Sequence, residues 1–177
     1  MAFLDSIRGI FGPTRTVRRE VAISAAPTTY TVRPLTERQS KEVLKLNLRC
    51  FRNGENYTKH TFAYLFNEPR SISYQMATAS GEMAAFAFVL LNADGAAHLT
   101  TIGVAPEHRR RGLAARLLSH LEEVLRIKGV STIVLELRVS NLAAKSLYTE
   151  AGYSLVNRLT KYYSDGEDCF LMVKSLV

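Results

Sequence analysis

A basic loop between a strand-like and a helix-like segment is the strongest chemical signal in this sequence. Arginines occupy positions 109–111, Gly112 follows them, and an apolar helical pattern begins at the next residue. The first amides of a helix have no partner within it and lie at the positive end of its dipole. Arginines beside these amides oppose the dipole unless an anion is bound. The segment predicts a pyrophosphate site, and a solvated basic turn is the alternative.

A carboxylate inside an apolar strand is the second chemical candidate. Glu136 alternates with Leu135 and Leu137, so its side chain is expected on the opposite face of the strand from these two leucines. That position is either exposed to solvent or held in a cleft. The histidines and cysteines show no ligand spacing, so the sequence predicts no metal site and two reduced thiols: His60, His98, His108, His120, Cys50 and Cys169.

Composition limits the class of protein. The 177 residues are 47% hydrophobic and 22% charged, which is typical of one globular domain with a sizeable core. No apolar run reaches the roughly 18 residues of a membrane-spanning helix. A net charge of +7 favours an anionic partner, which can be nucleic acid, a membrane surface or a polyphosphate cofactor. Reduced cysteines favour a cytoplasmic location.

Hydrophobic periodicity and turn residues predict a mixed α/β sheet around these candidates. Residues 1–28 read as a flexible basic extension, and residues 29–177 read as a single domain. Strands are expected over residues 29–35, 71–78, 83–91, 96–104 and 132–139, with two more flanking residues 165–166. Helices are expected over residues 37–51, up to residue 66, between residues 106 and 129, and over residues 141–151.

The order of these motifs resembles the GNAT acetyltransferases. Arg109-x-x-Gly112-x-Ala114 matches the family signature Gln/Arg-x-x-Gly-x-Gly/Ala. Residues 135–153 keep the order and spacing of GNAT N-terminal protein acetyltransferases, most closely the ribosomal-protein alanine N-acetyltransferase branch, and residues 162–172 look like the last hairpin of that branch. Residues 54–57 resemble the substrate-side loop of related enzymes, with glycine in place of the usual proline.

The resemblance implies a GNAT fold of the α/β (α+β) class: a mixed, mostly antiparallel sheet of about seven strands, splayed at its centre and flanked by about four helices. Acetyl-CoA would enter between the strand that ends at Val104 and the strand that contains Glu136. Its expected contacts come from Ile102, Gly103, Val104, Arg109, Arg110, Arg111, Gly112, Leu113, Ala114 and Asn141.

The resemblance also assigns roles in the reaction. Glu136 would be the general base, with a pKa raised by partial burial, and Tyr148 would protonate or hydrogen-bond the departing thiolate. Without the resemblance, Tyr148 reads as an ordinary core aromatic. The expected substrate-binding residues are Glu55, Tyr57, Tyr162 and Tyr163, and surface packing in a hairpin is the alternative for the last two. His98 resembles a family position and reads as structural.

Amine basicity favours a protein N-terminus as the acceptor. A terminal α-amine has a pKa of about 7.7–8.0, against about 10.4 for lysine, so more of it is nucleophilic near neutral pH. The expected function is acetyl transfer from acetyl-CoA to such an α-amine by direct attack, without a metal, and a ribosomal protein is one candidate acceptor. The alternatives are a lysine side chain, a polyamine or another small amine and, more distantly, a nucleic-acid-binding module without catalysis.

Overall fold

A seven-stranded sheet with helices on both faces organises the chain. The computed structural model describes residues 29–51 and 57–177. The strands are β1 (Tyr30–Pro34), β2 (Ser71–Thr78), β3 (Met83–Leu91), β4 (Ala97–Val104), β5 (Thr132–Arg138), β6 (Ser154–Leu159) and β7 (Cys169–Ser175). The helices are α1 (Ser40–Cys50), α2 (Lys59–Asn67), α3 (Leu113–Ile127) and α4 (Leu142–Glu150), with single 3₁₀ turns at Glu37–Gln39 and Pro106–His108. The expectations for residues 1–28 and for Glu55 lie outside the described residues.

The sheet opens at its centre. Its strand order is β1-β2-β3-β4-β5-β7-β6, and every neighbouring pair is antiparallel except β4 and β5. These two parallel strands pair at only two positions, Ala97 with Ile133 and His98 with Val134. Beyond these positions the strands separate, so the remainder of each strand borders a gap. The expected mixed, mostly antiparallel, splayed sheet with four helices is confirmed.

Strand β3 shows why each face of the sheet takes different helices. Side chains alternate along a strand, so Ala85 and Ala87 face one side while Phe86 and Phe88 face the other. The alanines belong to the cluster that buries the apolar stripe of α3, formed by Leu113, Leu117, Leu118, Leu121 and Leu125. The two phenylalanines pack with residues of α1 and α2: Val43, Leu46, Phe62 and Leu65.

Helix ends follow from local backbone chemistry. Gly112, just before α3, has φ +74°, and Gly129, just after it, has φ +76°, a left-handed conformation that strains a residue with a side chain. Thr58 and Asn141 cap α2 and α4 by accepting hydrogen bonds from the third residue beyond each. Within the two described ranges, no helix is long and apolar enough to cross a membrane.

A buried ion pair joins α3 to β7. Lys174 Nζ donates to Glu122 Oε2 at 2.5 Å, and the side chains of both residues are mostly buried. Arg126 lies one turn further along α3, and its Nε donates to the carbonyl of Leu176. These contacts fix the C-terminal strand beneath α3, because separating a buried ion pair would leave an uncompensated charge.

The α3 packing gives a direct stability test. Leu117 is fully buried, whereas Ile127 at the end of the same helix is 81% exposed. We expect Leu117→Ala to lower the free energy of unfolding by about 2–5 kcal/mol, because it removes transfer free energy and leaves a cavity. The matched control Ile127→Ala should change it by less than about 0.5 kcal/mol. Urea unfolding followed by circular dichroism measures both, and equal losses would contradict the described packing of α3.

Candidate active site

The gap between β4 and β5 is a cleft with a volume of about 540 Å³. Its walls come from five parts of the fold: β4 from His98 onward, the end of β5, the start of α3, the inner face of α4, and aromatic side chains near the open end. The sequence-predicted residues among its lining are Tyr57, Ile102, Val104, Ala114, Glu136, Asn141, Tyr148, Tyr162 and Tyr163. Residues far apart in the sequence therefore meet around one cavity.

The edge of β4 that faces the cleft has main-chain amides without a partner in β5. The amide of Ala105 donates to the carbonyl of Ala84 at 2.9 Å, on the β3 side. Main-chain groups alternate in direction along an antiparallel pair, so those of Val104 and Ile102 point to the opposite edge. That edge has no β5 partner beyond His98. The amide of Val104 is therefore available to a carbonyl oxygen in the cleft.

Gly103 has a packing role in the same strand. A Cβ at this position would lie 2.7 Å from Cε1 of Phe86 and 3.2 Å from Sγ of Cys50. Such contacts are too short for a side chain, so β4 can approach the ring of Phe86 only through a glycine. Gly103 lets its neighbours Ile102 and Val104 present their main-chain groups at the cleft edge.

The start of α3 offers backbone amides. The side chain of Leu113 is buried in the core, so only its main-chain groups face the loop. Among the described residues, no protein acceptor bonds the amides of Gly112, Leu113 or Ala114. Nothing lies within 4 Å of the position that a Cβ of Gly112 would occupy. Open space in front of unpartnered amides at the positive end of a 15-residue helix fits a phosphate group.

Two of the three arginines before this helix are held by the protein. Arg109 donates from Nε to the carbonyl of Val104 at 3.2 Å and from Nη2 to that of Cys50 at 3.3 Å. Arg111 donates from Nη1 to Oη of Tyr30 at 3.0 Å. Arg110 has φ +59° and an exposed side chain. Arg109 and Arg111 thus shape the loop as well as adding positive charge, and all three arginines are exposed to solvent.

Glu136 lies against a histidine. Nε2 of His98 and Oε2 of Glu136 are 2.5 Å apart, and the two side chains are 30% and 25% exposed. The hydrogen bond from His98 lowers the pKa of Glu136 below its usual value, and partial burial opposes this shift without cancelling it. The expectation that burial raises the pKa of Glu136 is therefore wrong: the imidazole stabilises the carboxylate more than burial destabilises it.

The sequence did not predict that His98 lies in the site. His98 pairs with Val134, and Glu136 lies two residues further along β5, on the same face as Val134. The parallel register of β4 and β5 determines this contact, but the sequence of either strand alone does not reveal the register. His98 is thus part of the cleft and not only a structural residue.

Tyr148 enters the cleft from α4. Its ring is 5.5 Å from that of Tyr153, and the residue is 6% exposed. Burial raises the pKa of the Tyr148 phenol above its usual value, so this group stays protonated across the neutral range and can only donate or accept a hydrogen bond there. On the same helix, Asn141 uses Oδ1 to cap α4, which leaves its Nδ2 as the donor for a ligand.

Three tyrosines border the opposite end of the cleft. Tyr57 donates from Oη to the carbonyl of Thr100 at 2.9 Å, which ties the start of α2 to β4. Tyr162 is 51% exposed and contacts Tyr163 edge-on at 5.2 Å. Burial, and after it the nearby charge of Glu136, raises the pKa of both Tyr57 and Tyr162. Both tyrosines line the same cleft as the carboxylate.

Arg138 holds the hairpin that carries Tyr162 and Tyr163. Its guanidinium lies 4.0 Å from the ring centroid of Tyr163 and donates to Asp165 and Glu167, each at 2.8 Å. Tyr162 and Tyr163 thus pack against each other, as the alternative of surface packing in a hairpin predicts. They also line the cleft. Glu55 cannot be assigned to this wall, because it lies outside the described residues.

Comparison with known proteins agrees with this geometry. Residues 40–153 match the acetyltransferase (GNAT) family. The ribosomal protein bS18-alanine N-acetyltransferase of Escherichia coli K12 is 40% identical over 119 residues, which are 66% of this chain and 78% of that protein. The crystal structure of the Escherichia coli ribosomal-protein-S18-alanine N-acetyltransferase superposes with a TM-score of 0.76 at 32% identity and covers 84% of this chain and 94% of its own.

More distant structures share the fold alone. Ard1 from Thermoplasma volcanium superposes with a TM-score of 0.76 at 21% identity and covers 84% of this chain and 98% of its own. The expected fold is confirmed by these superpositions.

The contact between His98 and Glu136 gives a measurable prediction. We expect His98→Ala to raise the pKa of Glu136, because the largest influence that lowers it disappears while partial burial remains. Carbon-13 NMR titration of the glutamate side-chain carboxyls measures this change. His60→Ala on the exposed face of α2 is the control and should leave the titration of Glu136 unaltered. An unchanged pKa in His98→Ala would contradict the stabilising role of the imidazole.

Proposed function

The chain belongs to the acetyltransferase (GNAT) family and is an acetyl-CoA-dependent N-acetyltransferase, and from this premise we propose that it acetylates the N-terminal α-amine of a protein. The observation that carries the proposal is the Glu136 carboxylate of β5, bonded to His98 in a cleft that Tyr57 and Tyr162 also line. An acceptor amine that enters this cleft past the tyrosines would meet the carboxylate.

The residues of the cleft fit acetyl-CoA, which supplies an activated acetyl thioester when bound. The amides of Gly112, Leu113 and Ala114 would hold its diphosphate, because no described protein acceptor uses them. The main-chain groups of Ile102 and the amide of Val104, which β5 does not pair, would bind its amide-bearing arm. The amide of Val104 would polarise the thioester carbonyl, as a donor aimed at developing negative charge.

The lowered pKa of Glu136 defines what this base can do. An ionised carboxylate with such a pKa is too weak to keep a proton taken from a free ammonium group, so the acceptor must arrive as a neutral amine. Glu136 then accepts a hydrogen bond from this amine and orients its lone pair. As the C–N bond forms, the nitrogen becomes strongly acidic, and its proton passes to the pair formed by Glu136 and His98.

Tyr148 serves the leaving group. The C–S bond breaks as the C–N bond is completed, and the sulfur leaves as a thiolate. An ordinary thiol has a pKa of about 8.5, whereas the pKa of Tyr148 lies above the usual tyrosine value of about 10. Full proton transfer from Tyr148 to the thiolate is therefore unfavourable. Its buried hydroxyl stabilises the thiolate by donating a hydrogen bond, and the thiol gains its proton afterwards.

A weak base selects among acceptors. At pH 7.5 roughly a quarter to two-fifths of terminal α-amines are neutral, against roughly 0.1% of lysine side chains. An enzyme that cannot deprotonate ammonium in the cleft therefore favours the α-amine. The relative that is 40% identical is named for acetylating an alanine of ribosomal protein bS18, which makes a ribosomal protein with N-terminal alanine our candidate acceptor.

The proposed reaction needs neither a metal nor an acyl-enzyme. Direct attack on a thioester requires a neutral amine, a carbonyl-polarising donor and a stabilised leaving group, and the residues above supply all three. The free thiols Cys50 and Cys169 support the cytoplasm as the compartment, since disulfides are rare there.

A pair of peptides tests the acceptor. One begins with a free alanine and contains an internal lysine, and its matched control has the same sequence with an acetylated N-terminus. We expect the enzyme and acetyl-CoA to add one acetyl group to the first peptide, located on the α-amine by fragmentation mass spectrometry, and none to the control. Comparable acetylation of the lysine in the blocked peptide would contradict the proposal and favour a side-chain or small-amine acceptor.

Substitution of Glu136 tests the chemistry separately from binding. We expect Glu136→Gln to lower kcat by about 10²–10⁴-fold, because a neutral amide cannot take the proton of the attacking amine. The dissociation constant for acetyl-CoA, measured by calorimetry, should stay the same. Glu123→Gln, at an exposed position on α3, is the control for loss of one negative charge and should keep the wild-type kcat. A normal rate in Glu136→Gln would remove this residue from the mechanism.

A further inference from the structure

A second group of potential ligands lies outside the cleft. Glu82 precedes β3, and Glu107 and His108 belong to the 3₁₀ turn that follows β4. One ligand atom from each of the three side chains lies within 4.8 Å of the others. None of the three lines the cleft. The sequence predicted no metal site because two of these residues are adjacent and the third is 25 positions away, a spacing without a known ligand pattern.

His108 is the residue that distinguishes this group from an ordinary acidic surface patch. It is 8% exposed, and its Nε2 is buried without a hydrogen-bond partner in the described part of the chain. This nitrogen points towards Glu82, whose Oε2 lies 3.9 Å away, too far for a hydrogen bond. A buried polar atom without a partner is costly, and a ligand between the imidazole and the carboxylates would satisfy it.

The other ring nitrogen of His108, Nδ1, has a hydrogen-bond partner within the protein. Nδ1 of His108 lies 3.0 Å from Oη of Tyr30, which also accepts a hydrogen bond from Arg111. When the phenol oxygen accepts from Nδ1–H as well, the lone pair of Nε2 is directed towards Glu82 and Glu107. Metal-binding histidines are characteristically oriented by such a hydrogen bond at the ring nitrogen that does not bind the metal.

Charge at the site also favours a cation. Glu82 and Glu107 supply two carboxylates, and Arg49 is the only cation paired with them in the described part of the chain. Arg49 donates to both oxygens of Glu107, but each side chain is more than two-fifths exposed. Exposed ion pairs contribute little to stability, so a metal ion can displace Arg49 from Glu107.

We propose that His108, Glu82 and Glu107 bind a divalent transition-metal ion of the zinc type. One imidazole nitrogen and two carboxylate oxygens suit Zn²⁺, whereas Mg²⁺ and Ca²⁺ prefer sites made of oxygen alone. Because Glu82 and Glu107 are exposed, solvent completes the coordination. The bound ion would join the turn before β3 to the turn that leads into residues 109–112, at a distance from the reacting atoms.

Calorimetric titration of the full chain with ZnCl₂ tests this site, in a buffer that keeps the thiols reduced and contains no chelator. We expect wild-type protein to bind one Zn²⁺. The Glu82→Gln and Glu107→Gln variants should bind it at least about tenfold more weakly, because each loses a carboxylate ligand. Both positions are exposed, so these variants should fold, and their circular dichroism verifies this. Bound zinc should also raise the melting temperature of wild-type protein, and it should do so less in the two variants.

Two controls separate this site from other possible zinc ligands. His60→Gln removes an exposed histidine of α2 and should bind zinc as wild type does. His98→Ala removes the histidine of the cleft and should also retain zinc binding. Absence of zinc binding by the wild type, or equal binding by Glu82→Gln, would overturn the proposal. Loss of binding in His98→Ala alone would assign the ion to the cleft and overturn it as well.

Discussion

The short pairing between β4 and β5 is the constraint on which the rest of the site depends. Two parallel strands that paired along their full length would use every main-chain group at their shared edge. Here they pair only at Ala97 with Ile133 and His98 with Val134 and then diverge. The divergence leaves amides on the edge of β4 without a partner in β5, whereas the carbonyls of Thr100 and Val104 accept hydrogen bonds from side chains. Surrounding helices and tyrosines border the gap without filling it, so the unpaired amides of this edge face an open cavity.

The same divergence explains the chemistry of Glu136. His98 belongs to the last residue pair before the strands separate, and Glu136 lies two residues beyond its partner Val134. The imidazole can therefore reach the carboxylate across the narrow end of the gap. Partial burial raises the pKa of this carboxyl, and the hydrogen bond from His98 lowers it by more. The site thereby gains a negative charge in a fixed position, and the lowered pKa makes Glu136 a weaker base.

Local patterns predicted most of the fold. The period of leucines marked α3, and Gly112 marked its start, because a left-handed residue before a helix has few alternatives to glycine. What the sequence could not provide were contacts between distant residues. His98 and Glu136 are 38 residues apart, and Glu122 and Lys174 are 52 apart. The sign of the pKa shift of Glu136 depends on the first contact, so burial alone gave the wrong sign. The buried ion pair of α3 and β7 gave no local signal at all.

The arginine-rich loop shows how one segment can serve two physical needs. Arginines at a helix N-terminus are unfavourable for the helix, which indicated an anion. Part of the conflict is resolved within the protein, since Arg109 bonds the carbonyls of Val104 and Cys50 and Arg111 bonds Tyr30. These bonds join the loop to α1, β1 and the edge of β4, so the protein's own contacts fix the position of the loop. The first amides of α3 then face open space in a fixed arrangement, and such preorganisation lowers the cost of binding an anion.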